Sequence, residues 1–316
     1  MSHPAPSEVV LSVLIVNFNG KSFLPDCLDS IKKNISIPHE IIVVDNGSHD
    51  GSVDFVRQNY PDVKIIASLI NTGFTGGNNL AAKYATGRYL LLLNNDTVVR
   101  SPLAPLIEKM DANHSIGVMG CRLLYGDGRQ QESVGYMPSV LSLALSWTPL
   151  GHIFLQSALF CRTVYAKSAL YGQTYSEVEW VSGAFLLTRA DLWRRLGGLD
   201  EHYFMYMEDT DYCRRIRELG YLVVYSACTV VTHFEGAGRA WIGERAVLNT
   251  THSYLVYTNK YYGGRGSLLL RLLLSPIFFT RAVAHGLLGV AGSDTNGFSK
   301  AKAYGRAALK LLGVTS

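Results

Sequence analysis

Residues 9–16 (Val-Val-Leu-Ser-Val-Leu-Ile-Val) form a short apolar run rich in β-branched side chains. Such a run predicts a strand buried on both faces, the usual state of a parallel strand. The period then changes. Residues 22–33 space their apolar positions three and four apart, which predicts a helix, and Pro38 separates it from the next apolar run. The same alternation continues with a strand at 41–44, a helix at 52–59 and a strand at 63–67. A helix at 78–85, closed by Gly87, and a strand at 89–93 complete the series. Strands alternating with helices predict an α/β fold, a doubly wound, mostly parallel sheet with helices on both faces.

The second half is less regular. Residues 125–180 are rich in Gly, Ser and Tyr and predict a loop or subdomain over the edge of the sheet. A strand is expected at 181–188, a helix at 190–196 closed by Gly197-Gly198, and a helix at 212–219 ended by Gly220. Two further strands are expected at 221–225 and 229–233. These elements divide the chain into a body at 1–244 and a tail at 245–316, the body having halves at about 9–120 and 121–244.

Composition narrows the class. Of 316 residues, 48% are hydrophobic and 17% charged, so a large core can be buried and general disorder is excluded. Five cysteines lie far apart with no CxxC pair, which argues against a zinc site or disulfide framework and fits a reducing compartment. The N-terminus lacks the basic-then-apolar layout of a signal peptide, so a cytoplasmic protein is expected. The tail carries nine Lys/Arg against Asp294 alone, a net of +8; the whole chain is +4, which leaves −4 on the body. A basic, leucine-rich tail points to an anionic membrane surface. Nucleic acid is not expected, because no recognition module accompanies the charge. Residues 268–292 are apolar but broken by Arg271, Pro276, Arg281 and His285. The uncharged stretches are too short to span a bilayer, so amphipathic helices lying in the interface are expected. A contact between copies of the chain, a homo-oligomer, is the other use for such a surface.

The polar groups collect where strands end. Asn17-Phe18-Asn19, Asp45-Asn46-Gly47 and Asn94-Asn95-Asp96 each come directly after an apolar strand. In an open α/β sheet the ligand crevice lies at the carboxyl ends of the strands, and three polar turns on that edge describe one. Each has a plainer meaning. Asp-Asn-Gly is commonly only an Asx turn. Asp96 closes an apolar strand, where a charge needs a partner or a metal, or else caps the next helix. The segment 71–79, Asn-Thr-Gly-Phe-Thr-Gly-Gly-Asn-Asn, is a glycine-rich turn opening a helix, suited to close approach of backbone to phosphate or ribose. It is neither a GxGxxG fingerprint nor a Walker loop. His233 ends an apolar strand and by default is a core histidine. The sequence after it, 234–239 (Phe-Glu-Gly-Ala-Gly-Arg), adds a flexible loop and a cation suited to a diphosphate. Glu208, Asp209 and Asp211 precede a helix and either cap it or hold a general base over a substrate.

Taken in order, these segments resemble glycosyltransferase family 2, the inverting GT-A transferases, over roughly residues 10–240. The resemblance also rests on 180–185, Trp-Val-Ser-Gly-Ala-Phe, and within the family it is greatest to bacterial rhamnosyltransferases of O-antigen and cell-wall assembly. It implies a nucleotide diphosphate sugar donor, rhamnose from dTDP-rhamnose or alternatively a UDP-sugar, and a saccharide or polyprenyl-linked saccharide acceptor. Residues 1–244 would be the catalytic domain, nucleotide-binding half first. Asp45 would read the base or ribose beside Asn17 and Asn19, with Gly73, Asn78, Asn95 and Arg239 completing the nucleotide-sugar site. Asp96 and His233 would hold Mg²⁺ or Mn²⁺, and Asp209 would be the catalytic base. Trp180, Ser182, Gly183 and Glu208 would line the acceptor side. A lipid-linked acceptor would place the enzyme peripherally on the inner face of the cell membrane. One departure stands out: the first Asp of the family's DxD motif is Asn94. The QxxRW motif of processive synthases is absent, so one sugar would be added at a time. The rivals are a sugar-nucleotidyltransferase, which would place a basic glycine-rich loop after the first strand, and a catalytically silent binding subunit.

Overall fold

The computed structural model describes residues 9–148, 168–235 and 243–313. In chain order its first half contains β1 (Leu11–Asn17), α1 (Leu24–Asn34), β2 (His39–Asp45), α2 (Ser52–Asn59) and β3 (Lys64–Ala67). Next come α3 (Gly73–Ala82), β4 (Tyr89–Asn94), β5 (Thr97–Val99), α4 (Ala104–Ala112), β6 (Ile116–Leu124), β7 (Val134–Gly135) and α5 (Val140–Leu145). The rest comprises β8 (Tyr175–Val178), β9 (Trp180–Val181), β10 (Phe185–Arg189), α6 (Ala190–Leu196), α7 (Glu208–Glu218), β11 (Leu222–His233), α8 (Glu244–Val290) and α9 (Gly297–Leu311). The chain forms two compact units. One takes the described residues within 1–136, 165–201 and 208–237, the other those within 137–164, 202–207 and 238–316.

The first unit is built on a mixed sheet in the order β3-β2-β1-β4-β10-β6-β11-β5, with β8 also paired to β11. β1 lies between β2 and β4 and is parallel to both, Val13 facing Ile41 on one side and Leu91 on the other. β3 adds a fourth parallel strand. Antiparallel pairing begins with β10, whose Phe185 faces Leu93 of β4. The core explains the order: Leu11, Val13, Ile15, Val43, Leu91 and Leu93 are fully or almost fully buried with Leu24, Cys27, Leu28 and Ile31. The last four, spaced three and four apart, form the inner stripe of α1. Each such aliphatic side chain stabilises the fold by roughly 1.5–3 kcal/mol on burial.

Several elements differ from the sequence expectation, each for a local reason. α3 begins at Gly73, five residues early, so the glycine-rich segment is helical rather than a turn before a helix. Its glycines serve close packing, since a Cβ on Gly77 would lie 2.6 Å from Cγ1 of Val16 in β1. The strand expected at 181–188 is two. β9 pairs antiparallel with β7 in a separate two-stranded sheet, and β10 joins the main one. The two strands expected at 221–225 and 229–233 are the single β11, with a register slip between Ser226 and Val230. The slip is held from outside by Ser101, whose Oγ accepts from Val230 N at 2.7 Å. α7 begins at Glu208, so the three acids sit in its first turn, not before it.

In the second unit α5, α8 and α9 enclose an apolar cluster that includes Leu143, Leu255, Tyr257, Leu270, Leu274, Phe278, Ala307 and Leu311. α8 is two helical segments meeting at non-helical Gly263 (φ 66°), and the interrupted apolar runs of the tail lie in the second, with Pro276 in its interior. Two of its four arginines, Arg271 and Arg281, bond within the unit. Arg271 Nη1 donates to Leu311 O at 2.7 Å, and Arg281 donates to Trp147 O and Tyr304 Oη, both at 2.9 Å. The tail's other cations are also partly matched within the unit: Lys300 pairs with Asp294 at 2.9 Å, and Lys302 and Arg306 with Glu244. Lys302 and Arg306 thereby link α9 to the start of α8, and Lys300 links it to the turn between the two helices. What α8 presents outward is Leu268, Leu272, Phe279, Val283, Leu287 and Val290. Among the described residues it is the one helix long and apolar enough to cross a membrane by length and composition, with 22% of that window buried.

Candidate active site

The carboxyl ends of β1, β2 and β4 are adjacent, which brings Asn17, Asp45 and Asn95 together. Asn95 Nδ2 donates to Asn17 Oδ1 at 2.7 Å, and Asn17 Nδ2 donates to Asp45 Oδ2 at 3.0 Å. The other oxygen, Asp45 Oδ1, accepts from Ser48 N, three residues on, at 2.9 Å. Asn19 has left-handed backbone (φ 50°); its N donates to Ser48 Oγ at 2.8 Å and its Oδ1 accepts from His49 N at 2.8 Å. Asn46, along the chain merely part of a turn, ties this edge to α3: Nδ2 donates to Gly73 O at 2.8 Å and Oδ1 accepts from Thr72 Oγ1 at 3.0 Å. Asp45 is thus buried with both oxygens occupied. By contrast Asn78, in α3, keeps a buried Oδ1 with no partner, as does Thr75 at Oγ1.

Gly20 belongs to this edge too, although nothing in its sequence context marks it. A Cβ there would lie 2.1 Å from Asn95 Nδ2 and 2.6 Å from Asn17 Oδ1. Only glycine lets the loop after β1 pass over the asparagine pair. Read along the chain, Asn19-Gly20 is simply a turn dipeptide.

A second cluster forms where β5 runs beside the end of β11. Their register sets Thr97 opposite His233, and Phe234 N donates to Asp96 O at 2.9 Å. His233 Nε2 consequently lies 3.3 Å from Asp96 Oδ1 and 3.1 Å from Asn94 Nδ2. On the other side of the ring, Nδ1 is 3.1 Å from Gln131 Oε1, and Gln131 Nε2 donates to Glu235 Oε1 at 2.6 Å. Among the described residues no three His, Cys, Asp or Glu side chains converge as a metal cage. The pair Asp96 and His233 nonetheless fits a divalent cation that draws its other ligands from a bound anion: a carboxylate oxygen and an imidazole nitrogen face one another across one gap. Asn94, standing where the family has an aspartate, is hydrogen-bonded to that ring.

The three acids of α7 have three different environments. Asp211 is buried and ion-paired with Arg215 at 2.7 Å, a structural contact. Glu208 is buried with Oε2 unpartnered; burial first, and the charge of Asp209 next, push its carboxyl well above the usual range. Asp209 Oδ2 accepts from Gly183 N at 2.8 Å, and Oδ1 accepts from Thr210 N at 2.6 Å. Burial still raises its pKa, outweighing those bonds.

The break between β9 and β10 connects the clusters. Ser182 N donates to Ser133 O at 2.7 Å, Gly183 N to Asp209, and Ala184 O accepts from Asn94 N at 3.1 Å. One tripeptide therefore holds the Asp209 carboxylate beside the turn that carries Asp96. Trp180, expected on the acceptor side, is buried, its Nε1 donating to Tyr136 O at 3.0 Å. Arg239 lies outside the described residues.

The mixed sheet with polar turns at its carboxyl edge is of the GT-A type, and comparison with known proteins gives the family. Residues 12–167 match the model of Glycosyl transferase family 2, and the chain belongs to that family. It is a glycosyltransferase. Among its relatives, the N-acetylglucosaminyl-diphospho-decaprenol L-rhamnosyltransferase of Mycobacterium tuberculosis is 28% identical over 237 residues, covering 71% of this chain and 76% of that protein. Rhamnosyltransferase WbbL of Escherichia coli is 24% identical over 232 residues, 70% of this chain and 82% of that one. In fold, the chain is similar to the mannosyltransferase PcManGT of Pyrobaculum calidifontis, solved in complex with GDP-Man and Mn²⁺. The TM-score is 0.57 at 15% identity, covering 99% of this chain and 90% of that one.

Proposed function

We propose that the enzyme transfers a single rhamnose from dTDP-rhamnose to a hydroxyl of a lipid-linked saccharide, with inversion, at the inner face of the cell membrane. The observation that carries the mechanism is the bond from Gly183 N to Asp209 Oδ2, made within the turn whose Ala184 O accepts from Asn94. It sets a carboxylate with a raised pKa beside the strand end that holds Asp96. In this reading Asp209 removes the acceptor hydroxyl's proton as its oxygen bonds the anomeric carbon from the face opposite the nucleotide. The bond from that carbon to the diphosphate oxygen breaks in the same displacement, and no covalent intermediate forms. Asp96 and His233 would hold Mg²⁺ or Mn²⁺, whose positive charge stabilises the departing diphosphate. Asn17, Asn19, Asp45, Gly73, Asn78 and Asn95 would form the nucleotide side, with Arg239 near the diphosphate, and Trp180, Ser182, Gly183 and Glu208 the acceptor side.

The sugar and the acceptor are taken from what the two rhamnosyltransferase relatives are named for. The membrane reading is supported by the outward apolar stripe of α8, and residues 245–316 would then serve attachment. A UDP-sugar donor is the second reading, because Asp45 can serve uracil as well as thymine. The test offers purified enzyme dTDP-rhamnose, UDP-glucose and UDP-N-acetylglucosamine in turn, with a polyprenyl diphosphate-linked N-acetylglucosamine and with or without chelator. Rhamnose transfer that stops on chelation and returns with Mn²⁺ is expected. Transfer from a UDP-sugar alone would overturn the donor assignment, and full activity in chelator the metal.

A further inference from the structure

The first unit contains an open cavity of about 250 Å³, lined by Arg88, Tyr89, Arg189, Asp191 and Arg194. It is remote from the catalytic edge. Arg189 faces Tyr89 where β10 pairs with β4, and Phe185 faces Leu93, so the cavity stands at the opposite ends of these two strands. From Tyr89 to Asn94 the chain of β4 covers roughly 17 Å. Arg189 is fixed in place. Its Nε donates to Ile116 O at 2.8 Å, Nη1 to Tyr89 Oη at 3.3 Å, and Nη2 to Met110 O and Asn113 O at 2.5 and 3.2 Å. None of the four acceptors is a carboxylate, and one N–H of the guanidinium, on Nη1, remains. Arg88 and Arg189 both stand over the Tyr89 ring, 5.6 Å from its centroid. Asp111 matches part of this charge: its Oδ1 accepts from Tyr89 Oη at 2.7 Å and from Arg88 Nη1 at 3.2 Å. Arg194 is exposed and has no carboxylate partner among the described residues.

Three positive charges therefore meet two negative ones, and the acid in the lining narrows the ligand. Asp191 Oδ1 accepts from Leu192 N at 2.9 Å, which leaves Oδ2 to accept from something in the cavity. A carboxylate repels a bare anion but takes hydroxyl hydrogens, whereas arginine matches phosphate oxygens two at a time. Clefts for drug-sized molecules measure roughly 300–1,000 Å³, so this one suits something smaller. We propose that the cavity is a second ligand site, which takes a monosaccharide phosphate. Its phosphate meets Arg88, Arg194 and the remaining Nη1 hydrogen of Arg189, and its hydroxyls meet Asp191. Occupancy there does not compete with the nucleotide, whose proposed residues lie at the other ends of the strands. The site is thus placed to sense a sugar phosphate while transfer proceeds.

The experiment is calorimetric titration of the full chain with glucose 1-phosphate in EDTA, with inorganic phosphate and glucose as comparison ligands. Wild type should bind glucose 1-phosphate at one site, more tightly than phosphate, and should ignore glucose. Arg88→Glu and Arg194→Glu should each weaken binding about 10-fold or more, the loss of a charge-assisted contact. Both side chains are exposed, so these variants should keep the wild-type Tm and transfer activity. Asp191→Ala should bring the two phosphate ligands to similar affinity, because the hydroxyl acceptor and the repulsion of a bare anion are lost together. Asp96→Ala, at the catalytic edge, should bind glucose 1-phosphate as wild type does. Absence of binding at millimolar concentration, or binding unchanged in Arg194→Glu, overturns the site. Binding lost in Asp96→Ala moves the ligand to the catalytic edge and overturns it equally. Wild type that binds inorganic phosphate as tightly as glucose 1-phosphate overturns the choice of ligand.

Discussion

Asp45 ends β2 and Asp209 lies in the first turn of α7, and both accept two or more hydrogen bonds from neighbouring N–H groups. Around Asp45 the surroundings are matched: Asn17, Asn19, Asn95 and Ser48 satisfy one another and form a fixed wall. Around Asp209 they are not. Glu208 is buried beside it with an oxygen unpartnered, and both carboxyls are pushed upward by burial. A matched cluster supplies shape, because its groups have nothing left to exchange. An unmatched one supplies reactivity, because a buried acceptor gains by meeting a proton or a cation.

The widest separation between the two should come from the isosteric pair of variants. Asp209→Asn should lower kcat by roughly 10²-fold or more with donor affinity nearly unchanged. Asp45→Asn should instead lower donor affinity and Tm. If Asp209→Asn keeps wild-type turnover in a direct transfer assay, Asp209 is a helix-terminal residue and no more. In the same assay, the acid limb of the kcat–pH profile should lie above the ordinary aspartate value of about 3.9. Transfer is lost as pH falls through the raised pKa, since the base must be unprotonated.

Next in size is Gly20→Ala. Its methyl would force Asn95 and Asn17 apart and should destabilise the fold by about 1–3 kcal/mol, read by denaturant unfolding, with donor affinity falling too. A neutral result would mean that the loop after β1 gives way freely and the wall is not rigid. The smallest effect expected is a gain. The raised pKa of Glu208 means its contribution to stability is fully present below the unfolded value of about 4.3 and is lost as pH rises through the folded value. Glu208→Gln should therefore raise Tm at neutral pH by an amount equivalent to about 1 kcal/mol and change nothing in acid. Equal melting curves at both pH values would show that the carboxyl is not desolvated.

Much of the fold is readable along the chain. α2 and α6 lie at the expected residues, and β1, β2 and β4 within two, because their signals are local: apolar runs, helical spacing and a closing glycine. α3 escapes such reading because glycine and asparagine are poor helix formers, and what makes that segment helical is its packing on Val16. The break at Ser182–Ala184 escapes it because an apolar run does not say which sheet it joins. At the site, the carboxylates and His233 can be named from their positions at strand ends and a helix start. Gln131 and Glu235 cannot. Each is an ordinary polar residue in a loop, and each acquires a role only by meeting a partner 102 or 104 positions away.

Those separations also order the events of biosynthesis. The donor edge closes over short stretches of chain, 28 positions between Asn17 and Asp45 and 78 between Asn17 and Asn95. The contact of His233 with Asn94 spans 139. Contacts between distant positions form slowly and late, and during synthesis the N-terminal portion has the first opportunity to fold. A ribosome-bound chain that has not yet released β11 would hold the asparagine–aspartate wall without His233 beside Asp96. Every residue of that wall is thus made more than a hundred positions before the one that faces Asp96, and no chain stopped ahead of residue 233 can complete the second cluster.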